Sequence, residues 1–164
     1  MATALLIIDV QRALCTGEYE CFEIKRVIEN INDLSAKARG AGIPVILIQH
    51  EERGDQLQYG SEGWQLAESL KISPQDLRVR KTNRDSFYRT HLQAQLQDMD
   101  ADRLIVCGLQ TDYCVNATVR QALNLGYDVV LAAEDIITEH NADLAHLTGP
   151  VARIDVMPTS EIRI

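Results

Sequence analysis

The chain has 164 residues, 46% of them hydrophobic and 24% charged, a composition typical of one globular domain built around a single core. The formal net charge of −8 and the lack of a long run of Lys or Arg argue against a nucleic-acid partner. No apolar run approaches the roughly 20 residues of a transmembrane helix, which argues against a membrane partner. We expect one domain over residues 1–164 from the length of the chain. Because the N-terminal sequence has no basic region followed by a cleavage site, we expect a cytoplasmic protein.

The four cysteines are not spaced as a metal or redox motif. They are Cys15, Cys21, Cys107 and Cys114, and no two of them form a C-x-x-C pair. We therefore expect thiols rather than disulfides in a reducing compartment. Cys107 lies inside an apolar run and is interpreted as a small core residue.

In the first half of the chain, apolar runs alternate with helical periodicity. Residues 4–10 form a nearly continuous apolar run, the pattern of a strand covered on both faces. Apolar residues recur at helical spacing over residues 24–38, and residues 45–48 form a second buried strand. The polar, glycine-containing residues 51–63 predict a loop, and residues 64–70 predict a short helix.

The second half repeats this alternation to the end of the sequence. Its predicted elements are strands at residues 77–80, 104–107, 127–132 and 152–156, and helices around residues 92–99, 115–126 and 137–147. Strands that alternate with helices at this spacing favour a parallel sheet with right-handed crossovers. We predict a Rossmann-like, three-layer α/β/α fold with six parallel strands in the order 3-2-1-4-5-6.

This topology brings three chemically versatile residues to one crevice. Asp9 ends the first strand, Lys81 follows the third, and Cys114 follows the fourth. With the strand order above, the first and fourth strands are neighbours at the switch point, and ligands bind outside the carboxyl ends of the strands there. Each residue could have a purely structural role when it is taken singly, so the convergence of all three is what predicts a site.

The segment around Cys114 predicts a nucleophile. An apolar strand breaks at Gly108, and Cys114 follows in what we expect to be the first turn of a helix. The positive end of the helix dipole favours thiolate over thiol, and free backbone N–H groups there could hold an oxyanion. Asp9 could take the thiol proton, and the Lys81 ammonium could stabilise both carboxylate and thiolate. No Cys-His pairing is evident, since only His50 is expected near the crevice, at its edge.

Three separated motifs resemble those of the isochorismatase-like cysteine hydrolases. The matching stretches are Leu6-Ile7-Ile8-Asp9-Val10-Gln11, then Lys81 with Phe87 and Thr90, and then Cys107-Gly108-Leu109-Gln110-Thr111-Asp112-Tyr113-Cys114-Val115. The resemblance runs from about residue 4 to residue 135. It implies a catalytic triad of Asp9, Lys81 and Cys114. It also implies a cis peptide bond between Leu109 and Gln110, which aims the N–H groups of Gln110 and Cys114 at the oxyanion.

Departures from the family pattern narrow the function. The nicotinamidase branch binds a metal through an Asp-x-His pair and further histidines, whereas this chain has Ile48-Gln49-His50 at the matching stretch. We therefore expect no metal and no cofactor. Hydrolysis of isochorismate, a vinyl ether, needs no thiol nucleophile, so the intact Cys114 favours an amide or related acyl substrate. The segment Tyr59-Gly60-Ser61-Glu62-Gly63-Trp64 is similar to that of streptothricin-hydrolase-like members, whose substrates include a cyclic amide.

The three motifs and these departures favour a metal-independent cysteine hydrolase that cleaves a C–N bond other than a peptide bond. Its substrate would be a small amide, lactam or carbamoyl compound, cleaved through a thioester acyl-enzyme. One alternative is a vinyl-ether hydrolase of the isochorismatase type. Another is a catalytically silent interaction scaffold, against which the retention of all three triad residues argues. We expect a small-molecule substrate as partner and a homo-oligomer, either a dimer or a tetramer.

The walls of the substrate pocket are predicted from residue type and position. Aromatic residues at loop or helix-start positions near the crevice commonly line small-molecule pockets, although they also serve as core or interface residues. Gln11, just after Asp9, could hold the acid in place or simply cap a loop. The predicted substrate-binding residues are Gln11, Tyr19, Phe22, Trp64 and Tyr113.

Overall fold

Strands and helices alternate along the chain in the computed structural model, which describes residues 2–16, 23–109, 111–132 and 153–164. The strands are β1 Ala2–Ile8, β2 Val45–His50, β3 Leu77–Lys81, β4 Ala101–Gly108, β5 Asp128–Ala132 and β6 Ile154–Met157. The α-helices are α1 Arg12–Cys15, α2 Ile24–Gly40, α3 Leu92–Asp98 and α4 Asn116–Asn124, with a π-helical turn at Thr111–Val115 and a 3-10 turn at Thr159–Glu161. The predicted helix at residues 137–147 lies outside the described residues.

All strand pairs are parallel, and the sheet order is β3-β2-β1-β4-β5-β6. The predicted fold class and strand order are therefore confirmed. Successive residues of a strand point to opposite faces of a sheet, and here each face is covered. Leu6 and Ile8 of β1 join one hydrophobic cluster with residues of α3 and α4, whereas Leu5 and Ile7 join a second cluster with residues of α2. The apolar run of β1 is thus buried on both sides.

The central strands place the candidate site at their carboxyl ends. Ile8 at the end of β1 is in register with Ile48 of β2 on one side and with Gly108 of β4 on the other. Gly108 has a φ of 141°, and a Cβ there would collide with the backbone of Ile8. Only glycine allows β4 to end in this conformation so close to β1. Asp9, directly after the last residue of β1, has a φ of 57°. The chain therefore leaves the strand at Asp9 rather than at Val10, where the predicted strand ends.

The short helix predicted at residues 64–70 is wrong. The segment forms turns, with an isolated bridge between Leu66 and Gln11 and a 2.9 Å hydrogen bond from the backbone N of Ala67 to the carbonyl of Val10. Backbone groups that a helix would pair internally are paired with the chain after β1 instead. This tertiary pairing has no local pattern in the sequence.

Among the described residues, no helix combines the length and apolar character that a membrane crossing requires.

Candidate active site

The structure brings Asp9, Lys81 and Cys114 to the carboxyl edge of the sheet. Lys81 is the last residue of β3, two strands away from β1 in the sheet. Its buried side chain crosses the end of β2 and places Nζ 3.2 Å from Oδ2 of Asp9. The Lys81 side chain is 0% exposed and that of Asp9 is 2% exposed. Charged side chains this deeply buried are found only when they are paired, so Asp9 and Lys81 each supply the counter-charge that the other needs.

All three N–H donors of the Lys81 ammonium have an acceptor. They are directed to Oδ2 of Asp9 at 3.2 Å, Nδ1 of His50 at 3.1 Å and the backbone carbonyl of Asn83 at 3.1 Å. An ammonium has three donors and no acceptor. Lys81 therefore has no N–H left for a substrate, and it acts on the site through its charge, its hydrogen bond to Asp9 and its interaction with the Cys114 sulfur.

The Asp9 carboxylate has one engaged oxygen and one without a hydrogen bond. Oδ2 accepts from Lys81, whereas Oδ1 is buried and accepts no hydrogen bond from the described residues. The backbone N of Asp9 donates to the carbonyl of Ile48 at 2.9 Å, which ties the acid to the end of β2. A buried carboxylate oxygen without a donor is costly unless something uses it. Oδ1 is thus the group in this site best placed to receive a proton.

Cys114 lies in the π-helical turn before α4, two residues ahead of the first α-helical residue. Its sulfur, a carboxylate oxygen of Asp9 and a ring nitrogen of His50 all lie within 4.8 Å of one another. Burial raises the pKa of the Cys114 thiol to about 12, the Asp9 charge adds to this rise, and the Lys81 charge opposes it. The expectation of a lowered thiol pKa is therefore wrong for the resting site. The proton stays on sulfur until a base takes it.

His50, predicted at the edge of the crevice, lies within the site and contacts Lys81. It is the last residue of β2, in register with Lys81 of β3, and its ring contacts the ammonium. Burial and the Lys81 charge lower the pKa of His50, although Asp9 and Glu52 partly offset them. The ring is therefore neutral near pH 7. Sequence reasoning placed it near the crevice, and the signal it missed was that His50 and Lys81 both end neighbouring strands.

Asp9, His50 and Cys114 are also the described residues that could hold a metal ion. Their arrangement does not fit a dication, because the Lys81 ammonium already binds Oδ2 of Asp9 and Nδ1 of His50. A divalent ion among these donors would face that positive charge within a buried site. The Asp-x-His pair of the metal-binding branch is missing as well, with Ile48 in place of the acid.

A cavity of about 430 Å³ opens onto Cys114. Its described lining residues are Asp9, Ala13, Leu14, His50, Glu52, Asp55, Gln56, Leu57, Arg84, Tyr113 and Cys114. Tyr113, a predicted substrate-binding residue, is 51% exposed, and the Arg84 guanidinium carbon lies 4.9 Å from its ring centroid. A larger cavity of about 880 Å³ lies beside α1 and α2, and neither Asp9 nor Cys114 lines it.

Two predicted substrate-binding residues have other roles. Gln11 is 0% exposed, and its side-chain amide is used in hydrogen bonds to the backbones of His50 and Trp64. Trp64 does not line the cavity at Cys114; its ring packs edge-on against Tyr59, with centroids 4.8 Å apart. Neither residue is among the described lining of that cavity, and their role in substrate binding stays a prediction. Three predicted residues, and the peptide bond between Leu109 and Gln110, lie outside the described residues: Tyr19, Phe22 and Gln110.

Comparison with known proteins agrees with the motifs. The family model of the isochorismatase domain matches residues 3–149. The chain is 38% identical over 129 residues to streptothricin hydrolase of Streptomyces noursei, a match covering 78% of this chain and 47% of that protein. It is 29% identical to ureidoacrylate amidohydrolase RutB of Pseudomonas savastanoi pv. phaseolicola, over 90% of this chain and 72% of that one. The chain thus spans about half the length of the streptothricin hydrolases it matches.

The fold is also shared with a solved structure. The structure of N-carbamoylsarcosine amidase from Thermoplasma acidophilum superposes with a TM-score of 0.87 and covers 99% of each chain. Its sequence identity to this chain is 22%, so this match shows a shared fold.

Proposed function

This chain belongs to the isochorismatase family, and we propose that it is a metal-independent cysteine hydrolase cleaving a C–N bond of a small amide, lactam or carbamoyl compound. One observation carries the proposal. The buried Asp9 carboxylate, paired with Lys81, keeps one oxygen without a hydrogen bond from the described residues and lies within 4.8 Å of the Cys114 sulfur. The names of the relatives, streptothricin hydrolase and ureidoacrylate amidohydrolase, support hydrolysis and, in the second case, an amide-type bond.

In the first half-reaction, Cys114 is acylated. Oδ1 of Asp9 takes the thiol proton as the sulfur forms a bond to the substrate carbonyl carbon, and the carbonyl electron pair moves to oxygen. Because the thiol pKa is about 12, proton removal accompanies the attack rather than preceding it. We assign the backbone N–H groups of Cys114 and Gln110 to the oxyanion. When the oxyanion collapses, the C–N bond breaks, and the leaving nitrogen takes the proton from Asp9.

In the second half-reaction, water releases the acyl group. Asp9, ionised again, takes a proton from water as the oxygen attacks the thioester carbon. The C–S bond then breaks, and the sulfur recovers the proton from Asp9, so that thiol and carboxylate are both restored. Lys81 transfers no proton in this scheme. Its hydrogen bond to Oδ2 holds the Asp9 carboxylate in place and leaves Oδ1 to carry the proton in each half-reaction.

The test is a screen of small amides, lactams and ureas with wild type, Cys114→Ala and Cys15→Ala. We expect turnover in wild type and in the matched control Cys15→Ala, and none in Cys114→Ala. Intact-protein mass spectrometry after acid quench should find the acyl group on the peptide that contains Cys114. Turnover that persists in Cys114→Ala would refute the covalent mechanism and favour a reaction that needs no thiol.

A further inference from the structure

The side chain of Gln11 holds the backbone of His50 from both sides. The backbone N of His50 donates to Oε1 of Gln11 at 2.9 Å, and Nε2 of Gln11 donates to the carbonyl of His50 at 2.9 Å. Nε2 of Gln11 also donates to the carbonyl of Trp64 at 2.9 Å. Since Gln11 is 0% exposed, water does not compete for these bonds. His50 is thereby fixed at the end of β2 by a residue that follows β1.

The ring of His50 has only one tautomer compatible with its neighbour. Nδ1 lies 3.1 Å from Nζ of Lys81, and an ammonium can only donate. Nδ1 must therefore be the unprotonated acceptor, and the neutral ring carries its hydrogen on Nε2. On that side, Nε2 lies 4.0 Å from an oxygen of Glu52, whose side chain is 64% exposed.

We propose that His50, held by Gln11, is a positioning residue that keeps the third N–H of Lys81 away from Oδ1 of Asp9. The other two donors of the ammonium are engaged by Oδ2 of Asp9 and the carbonyl of Asn83. Without the acceptor at Nδ1, the freed N–H turns to a nearby oxygen, and Oδ1 is the buried one without a donor among the described residues. A carboxylate with both oxygens bonded to an ammonium is a weaker base for the Cys114 proton.

The catalytic consequence of this proposal rests on the proposed function, but the hydrogen bond itself does not. The charged and titratable groups facing His50 come from each neighbouring element: Asp9 after β1, Glu52 after β2, Lys81 of β3 and Cys114 of the π-helical turn. Burial and the Lys81 charge, which lower the pKa of His50, keep the ring in the neutral form that the geometry requires.

The arrangement is tested without substrate by long-range ¹H–¹⁵N NMR of protein labelled in histidine. We expect His50 at pH 7 to be neutral with its hydrogen on Nε2, and its pKa to lie below the ordinary value of a histidine. In Lys81→Met, the pKa of His50 should rise and the tautomer preference should weaken. Finding the hydrogen on Nδ1 in wild type would overturn the proposal on its own, whatever the variant does.

The consequence is tested with p-nitrophenyl acetate, an activated acyl donor, by measuring the second-order rate constant for acylation of Cys114. His50→Leu should slow acylation by about tenfold or more, the scale of a lost hydrogen bond to a charged group. His50→Asn, whose side-chain oxygen can take the place of Nδ1, should recover most of the rate. An Asn variant as slow as the Leu variant would show that the acceptor is not what matters.

Two buried glutamines supply a matched pair for the role of Gln11. Gln49, 2% exposed, also donates to the carbonyl of Trp64, at 3.1 Å, but its side-chain oxygen accepts from Arg78 rather than from the backbone of His50. Gln11→Met should slow acylation and shift the His50 resonances, whereas Gln49→Met should do neither. Equal slowing in both variants would contradict the proposal. If wild type is not acylated at all, the proposed function fails, and the NMR result still decides whether His50 holds Lys81.

Discussion

Replacing Lys81 by Met should cost far more stability than replacing any exposed cation of the same strand. The substitution removes three hydrogen bonds of 3.1–3.2 Å and leaves the Asp9 carboxylate, 2% exposed, without its counter-charge. Breaking one partner out of a buried ion pair costs about 3–5 kcal/mol. A loss of this size should move the midpoint of urea unfolding by about 1–5 M, given a slope of roughly 1–3 kcal/mol per M. Fluorescence of Trp64, the single tryptophan, and circular dichroism should report the same transition.

Two further variants separate the buried charge from general damage to β3. Lys81→Met combined with Asp9→Asn removes the uncompensated charge, so it should be more stable than Lys81→Met alone, although it lacks the same lysine. Arg80→Met removes an exposed cation from the same strand, one paired with Glu51 at 2.8 Å, and should move the midpoint far less. If Lys81→Met costs no more than Arg80→Met, the ion pair does not contribute as the burial implies, and the reasoning is refuted.

The remaining predictions concern the thiol, metals and the mouth of the cavity. Because the pKa of the Cys114 thiol is about 12, its rate of alkylation by iodoacetamide should rise about tenfold per pH unit from pH 7 to 10. A rate that reaches a plateau below pH 8 would contradict this pKa. Lys81→Met should slow the alkylation of Cys114 further. Turnover should survive exhaustive treatment with EDTA, and loss of activity that zinc restores would show that a metal is needed. The Arg84 guanidinium stacks on Tyr113 at the cavity, and no carboxylate among the described residues pairs with it. Arg84→Met should therefore lower the ratio of iodoacetate to iodoacetamide labelling of Cys114 by about threefold. An unchanged ratio would show that Arg84 does not attract anions to the sulfur.

The fold was accessible from the sequence because its strands are covered on both faces. A nearly continuous apolar run such as that of β1, followed by helical periodicity in α2, is typical of a parallel sheet with helices on both sides. Right-handed crossovers are compatible with the observed strand order, and this order places Asp9, Lys81 and Cys114 at one edge. What the pattern could not show is which polar residues turn inward. Gln11 is buried because its amide satisfies the backbones of two segments remote in sequence, and no local rule predicts that.

The acidity of Cys114 shows where local rules lead in the wrong direction. A cysteine before a helix, near a lysine, predicts a thiolate, because both features lower a thiol pKa. Burial and the facing Asp9 carboxylate outweigh both effects and raise the thiol pKa to about 12. Their strength depends on how deeply the sulfur is covered and how close the carboxylate lies, and only the folded structure shows either. The same packing leaves Asp9 with one oxygen that accepts no hydrogen bond from the described residues, while Lys81 contacts the other oxygen, His50 and the carbonyl of Asn83. The Cys114 thiol, protonated at rest and facing the Asp9 carboxylate, is therefore suited to losing its proton only while its sulfur forms a bond to a carbonyl carbon.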